Sequence, residues 1–167
     1  MSTLIENFAM LPYRYDDGGR KIAGYKGTTG DCVIRAIAIY KSLPYIDVRT
    51  RARHWGYMDW QWNLTKGRAN GHFNKKIKKP GSAMEKMFID EFGLSWVKSD
   101  FRQVHGRWRR LCIGDLPNNC IASMRKHVVA IRLGIVCDTW NCTKQYLIVD
   151  DWGNERVKHR AVYGFWV

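Results

Sequence analysis

An apolar stretch opens at Cys32, where CVIRAIAIY sets Val33, Ile34, Ala36, Ile37, Ala38 and Ile39 almost all round a helix rather than along one stripe. A surface helix keeps a polar face, so the pattern predicts a helix from Asp31 to about Lys41, buried inside a domain. It is too long for a typical fully buried strand. Asp31 stands where an N-cap or a first-turn acid belongs. A second helix is predicted after Pro44, because Tyr45, Val48 and Ala52 recur at helical spacing with basic residues between them. Ala83 to Phe92 repeats the pattern, with Met84, Met87, Phe88 and Phe92 on one side and Gly93 as a natural stop.

Beyond residue 119 the pattern changes. CIASM, HVVAIRL, GIVCDTW, QYLIVDDW and ERVKHRAVYGFWV are short β-branched or aromatic runs separated by Gly and Asn, the signature of antiparallel strands. Helices first and strands afterwards, without regular alternation, predict an α+β domain rather than a doubly wound sheet. Residues 1 to 30 carry turn signals and little periodicity, and read as an irregular N-terminal arm. Residues 63 to 82 are rich in Gly and Lys and read as a basic loop. A length of 167 residues suits one domain, residues 1 to 167.

Charge adds a statement about partners. The chain holds 28 Lys and Arg against 15 Asp and Glu, a formal net charge of +13, which attracts nucleic acid or acidic proteins. Neither a secretory signal nor about 18 consecutive apolar residues is visible, so a cytoplasmic protein without a membrane partner is expected. Five cysteines, Cys32, Cys112, Cys120, Cys137 and Cys142, lack the spacing of a disulfide scaffold and are expected as thiols. The pairs Cys137/Cys142 and Cys112/Cys120 match no common zinc pattern, so no metal and no cofactor is expected.

A thiol at a helix N-terminus becomes a nucleophile when an imidazolium stands beside it. His127 is the best-placed histidine, since it lies in a strongly strand-like run. His54, His72, His105 and His159 sit in polar or basic surroundings and read as surface residues. A turn near Arg132 to Gly134 would set His127 and Asp138 roughly opposite each other on one face of a hairpin, where cross-strand Cβ atoms are about 4.5 to 5.5 Å apart. A carboxylate there fixes the tautomer of the imidazole and leaves its other nitrogen to the thiol.

GDCVIRAIAIY, HVVAI and CDTWNC, in that order, resemble the papain-like cysteine peptidase superfamily, whose corresponding pieces are a Cys helix, a His-x-Val-Ala strand and an Asn-Ser-Trp. With the terminal YGFWV they also resemble small uncharacterised proteins of bacteriophages and bacteria. The resemblance covers residues 30 to 40 and 121 to 141 and the last strand. It implies a buried Cys helix packed on an antiparallel sheet, with Cys32 as nucleophile, His127 as general base and acid, Asp138 as orienting group and Trp140 as shield. It implies a peptidase, isopeptidase or amidase, with acyl transfer also open, in the host cytoplasm if phage-encoded. One departure stands out: the position six before the cysteine, a Gln in those peptidases, is Lys26. Tyr25, Lys26 or Thr28 would have to donate to the oxyanion with the Cys32 backbone N–H.

A different class of function rests on the basic clusters. Lys75, Lys76, Lys78, Lys79, Arg107, Arg109 and Arg110, with Trp55, Trp60, Trp62, Phe73 and Trp108 interleaved, are the residue types of a single-strand binder. No recognised nucleic-acid motif accompanies them, so binding would be electrostatic and largely nonspecific. The alternatives are therefore a thiol hydrolase acting on an acidic or nucleic-acid-associated protein, and a non-catalytic basic protein that binds nucleic acid or an acidic host protein. A peptidoglycan amidase would suit the charge but would need passage from a lysis system.

Overall fold

The computed structural model describes residues 9–27, 30–55, 83–99, 109–149, 152–153, 155–158 and 160–167. Its class is α+β: the described residues form three helices and a six-stranded, mostly antiparallel sheet. The apolar run forms α1, Cys32–Lys41, buried from Cys32 to Ile39. Chain reversal after it is compact. Ser42 takes a left-handed φ of 55°, Leu43 N–H reaches the Ala38 carbonyl at 3.0 Å, and Pro44 leads into α2, Tyr45–His54. α2 turns Tyr45, Val48 and Ala52 inward, as their spacing predicts. The third predicted helix is a short α3, Ala83–Lys86, which continues as a π-helical turn over Met87–Glu91. No described helix is long and apolar enough to cross a membrane.

The strands are β1 Tyr13–Tyr15, β2 Trp96–Lys98, β3 Cys120–Met124, β4 His127–Arg132, β5 Ile135–Asp138, β6 Tyr146–Val149, β7 Glu155–Lys158 and β8 Val162–Trp166. The main sheet runs β1-β5-β4-β3-β8-β2, and β6 with β7 forms a separate two-stranded sheet. The last apolar run of the sequence is thus two strands in two sheets. α1 packs on β4 and on its neighbours β3 and β5. Val128 and Ala130 join the core beneath the helix, while Val129 and Ile131 join a second core that includes Leu11, Leu111 and Phe165. That division is the period-2 alternation of a strand buried on both faces.

Two expectations need correction here. The N-terminal segment is not wholly irregular, because β1 pairs in parallel with β5, Tyr13 beside Val136 and Tyr15 beside Asp138. Three residues are too few for a strand period to show. Asp31 does stand at the N-cap position of α1, but its side chain makes no capping hydrogen bond and its carboxylate is drawn into buried ion pairs instead. The edge strand β2, unforeseen in the sequence, is held by Trp96, whose ring lies on Gly164 of β8. A Cβ at Gly164 would collide with that ring.

The β4–β5 hairpin is the element that matters for chemistry, and its register differs from the predicted one. Arg132 pairs with Ile135, Ile131 with Val136 and Ala130 with Cys137. The loop is therefore Leu133–Gly134, with φ of 53° and 73°, the type I′ geometry whose twist suits two antiparallel strands. Continued outward, this register sets Asp138 opposite Val129, two residues from His127. His127 and Asp138 are diagonal neighbours rather than direct partners, and a shift of two keeps both on one face.

Candidate active site

His127 opens β4 and Asp138 closes β5, so both stand at the open end of the hairpin, away from its turn. Their side chains meet: His127 Nε2 lies 2.5 Å from Asp138 Oδ2. The other carboxylate oxygen accepts from the Thr139 backbone N–H at 2.7 Å and from Arg35 Nη2 at 3.2 Å. Burial disfavours the Asp138 carboxylate, but His127, the Thr139 amide and Arg35 outweigh it and hold the group below the usual aspartate range. The Asp138 backbone carbonyl accepts from Tyr13 Oη at 3.1 Å and from the Asp16 N–H at 3.0 Å, so β1 fixes this strand end from the far side.

His127 is only 9% exposed at its side chain. Burial works against its charged form, yet the bond to Asp138 and the nearby thiols of Cys142 and Cys32 push its pKa up to about 11. The imidazole therefore carries its proton at neutral pH. With Nε2 on Asp138, Nδ1 is the nitrogen left for a thiol. Trp140 covers the ring at 5.2 Å between centroids and is itself overlaid by the Arg160 guanidinium at 4.6 Å.

Cys32 is the first residue of α1 and is 8% exposed. A first-turn backbone N–H has no intrahelical acceptor, and the helix dipole favours negative charge beside it. His127 and Asp138 thus meet directly, and Cys32 lies near enough to act on the charge of His127. What brings them together was only partly visible in sequence. Arg35, one turn into α1, ion-pairs with both Asp31 and Asp138 and ties the head of the helix to the hairpin. The signal was a lone Arg in an apolar helix four residues after an Asp, since a buried cation must find a carboxylate. Cys142 also joins the group, its sulfur within 4.8 Å of a His127 ring nitrogen and of an Asp138 oxygen. Its spacing carried no such signal, because it follows β5 through a bend rather than along a strand.

The other named positions lie elsewhere. Tyr25 packs its ring 5.4 Å from Tyr45, with the Arg49 guanidinium 4.2 Å above it. Lys26 is exposed, and its carbonyl accepts from Arg20. Thr28, Lys75, Lys76, Lys78, Lys79 and Arg107 lie outside the described residues, as do the loop at 63 to 82, Trp60, Trp62, Phe73, Trp108, His72, His105 and His159. Arg109 is half-buried rather than displayed: it donates to the Asp115 carbonyl and stands 5.7 Å over the Phe165 ring. The Arg110 backbone N–H donates to the Asp115 carboxylate at 2.8 Å. Trp55 donates to Glu91 at 3.3 Å, and His54 is exposed at the end of α2.

No protein-family model matches this chain, and comparison with curated proteins and with solved structures gives no match either.

Proposed function

We propose that the protein is a papain-like thiol acyl hydrolase. The observation that carries this reading is the convergence of a thiol at the head of a buried helix with a histidine held 2.5 Å from an aspartate at the open end of a hairpin. An imidazolium beside a thiol favours the thiolate, the nucleophilic form. Its sulfur attacks an acyl carbon of a peptide or amide, a C–S bond forms and the carbonyl electrons move to oxygen. His127 gives its proton to the leaving nitrogen as the C–N bond breaks. Water, deprotonated by His127, then attacks the thioester and releases the acid, while the sulfur leaves as thiolate. The Cys32 backbone N–H supplies one oxyanion donor. Resemblance to small phage and bacterial proteins makes the host cytoplasm the first place to seek a substrate.

Alkylation by iodoacetamide with each cysteine followed by mass spectrometry tests this. Cys32 is expected to react first at pH 6, and His127→Ala to slow it by on the order of tenfold or more. Burial pushes Cys120 up to about 12 and raises Cys137 too, so those thiols are inert internal references. Equal rates for Cys32 and Cys120 would sink the proposal.

One observation favours the second reading, a basic binding protein on the same scaffold: the Gln position is an exposed Lys26 and the Tyr25 ring is occupied by Tyr45 and Arg49. Under that reading Cys32→Ala keeps biological activity, whereas reversing the charges of Lys75, Lys76, Lys78 and Lys79 abolishes it.

A further inference from the structure

The hydrolase reading uses Cys32, His127 and Asp138 and leaves Cys142 without a task. Yet one ligand atom from each of His127, Asp138 and Cys142 lies within 4.8 Å of the other two. A tetrahedral zinc with bonds of about 2.0 to 2.3 Å keeps its ligand atoms roughly 3.3 to 3.8 Å apart, so the wider pairs need close by only about 1 Å, while His127 Nε2 and Asp138 Oδ2, 2.5 Å apart, must open by a similar amount to admit the ion. Imidazole, carboxylate and thiolate together form a borderline-soft donor set. That set suits Zn²⁺ and excludes the oxygen-seeking Mg²⁺ and Ca²⁺.

The surroundings orient these ligands as a metal site requires. Asp138 Oδ1 is held by Arg35 and the Thr139 N–H, so it is Oδ2, the oxygen that meets His127 Nε2, that would turn to an ion. Cys142 is buried, and the chain around it is fixed by an Asx turn in which Asn141 Oδ1 accepts from the Thr143 N–H at 3.0 Å and the Thr143 hydroxyl at 2.6 Å. Three protein ligands leave the fourth position to water. An ion entering here displaces the proton between His127 and Asp138, and a metal-bound imidazole cannot serve as the acid that protonates a leaving group.

We propose that His127, Asp138 and Cys142 form a zinc site whose filling withdraws His127 from Cys32 and silences the thiol. The silencing rests on the hydrolase reading; the zinc site does not. The test is equilibrium dialysis of the full-length, metal-stripped protein against zinc chloride, with Co²⁺ absorption as a reporter of thiolate ligation and Cys32 alkylation measured in parallel.

One equivalent of zinc per chain is expected. Affinity should fall by more than about a hundredfold in Cys142→Ser and His127→Gln, since even outer-shell changes cost about 10 to 100-fold. Cys32→Ser should keep the ion and the thiolate-to-cobalt charge-transfer band, which Cys142→Ser should lose. Zinc should slow Cys32 alkylation at least about tenfold. Absence of stoichiometric binding by the wild type, or equal affinity in folded Cys142→Ser, overturns the site. If that variant does not fold, the wild-type cobalt spectrum decides: no thiolate band overturns the site, while a band together with zinc protection of Cys142 from alkylation supports it. Zinc held through Cys142 with Cys32 alkylation unchanged overturns the silencing. A Cys32 already inert without metal defeats the hydrolase reading, and dialysis still measures the zinc site.

Discussion

Three side chains close on the Asp31 carboxylate: Arg20 Nε at 2.8 Å, Tyr45 Oη at 2.6 Å and Arg35 through Nη1. Arg20 also gathers the carbonyls of Tyr25, Lys26 and Gly27, so the loop that leads to Cys32 is strapped to the same centre. Arg35→Met is expected to cost about 3 to 5 kcal/mol in urea unfolding, the penalty for leaving buried carboxylates short of a cation. It should also slow Cys32 alkylation, because Asp138 loses a restraint. The same centre makes an alkaline prediction. Burial first, then the hydrogen bond and charge of Asp31, push the Tyr45 hydroxyl up to about 12, against the opposing effect of Arg49. A phenol whose folded pKa lies above its unfolded value of about 10 contributes stability that is full below pH 10 and lost as pH rises towards 12. Tyr45→Phe should therefore be less stable than wild type at pH 8 by about 1.5 to 3 kcal/mol. The gap should narrow between pH 10 and 11; a gap that widens there would contradict the assignment.

The β4–β5 hairpin sets the geometry of the His127 and Asp138 pair through two turn residues. Leu133 is 76% exposed and sits at φ 53°, a conformation that costs a side chain with a Cβ about 1 to 2 kcal/mol. Asn before Gly is the preferred type I′ pair, and the Leu133 backbone N–H already donates to Asn119 Oδ1 at 2.9 Å, a bond the exchange preserves. Leu133→Asn is expected to raise stability by about 0.5 to 1 kcal/mol in thermal or urea unfolding without changing the rate of Cys32 alkylation. A loss of stability would mean that the Leu133 side chain supports the turn in a way its exposure hides. This turn is also where sequence reasoning slipped by two residues: a hairpin is legible in alternating apolar positions, but its register is decided by which residues accept φ > 0. α1, α2 and strands β3 to β5 were legible because burial imposes a period. β1 and β2 were not, being three residues each and sheet edges. His127 and Asp138 could be paired in advance because one local hairpin holds both. Arg35 to Asp138 and Cys142 to His127 depend on how helix, strand and bend meet, which no local period encodes.

Charge works over a longer range than any of these contacts. Part of the +13 is spent inside the fold, on Arg20 and Arg35 at Asp31, Arg109 at Asp115 and Phe165, and Arg160 over Trp140. Those cations serve contacts within the fold. The remainder creates a positive field that, under the hydrolase proposal, would gather an acidic substrate, and such a field fades as the Debye length shrinks from about 10 Å at 0.1 M salt to about 3 Å at 1 M. Recognition and chemistry should therefore separate by salt. For an acidic amide substrate, kcat/KM is expected to fall about tenfold or more between roughly 0.05 and 0.5 M salt. A neutral substrate of the same sequence length should change less than about twofold, and alkylation of Cys32 by uncharged iodoacetamide should not change at all. Replacing Lys75, Lys76, Lys78 and Lys79 with Glu should erase the preference for the acidic substrate while leaving the neutral one untouched. If both substrates and the alkylation rate fell together, salt would be acting on the buried ion pairs around Asp31 and Asp138, and the positive field would have no part in choosing a substrate.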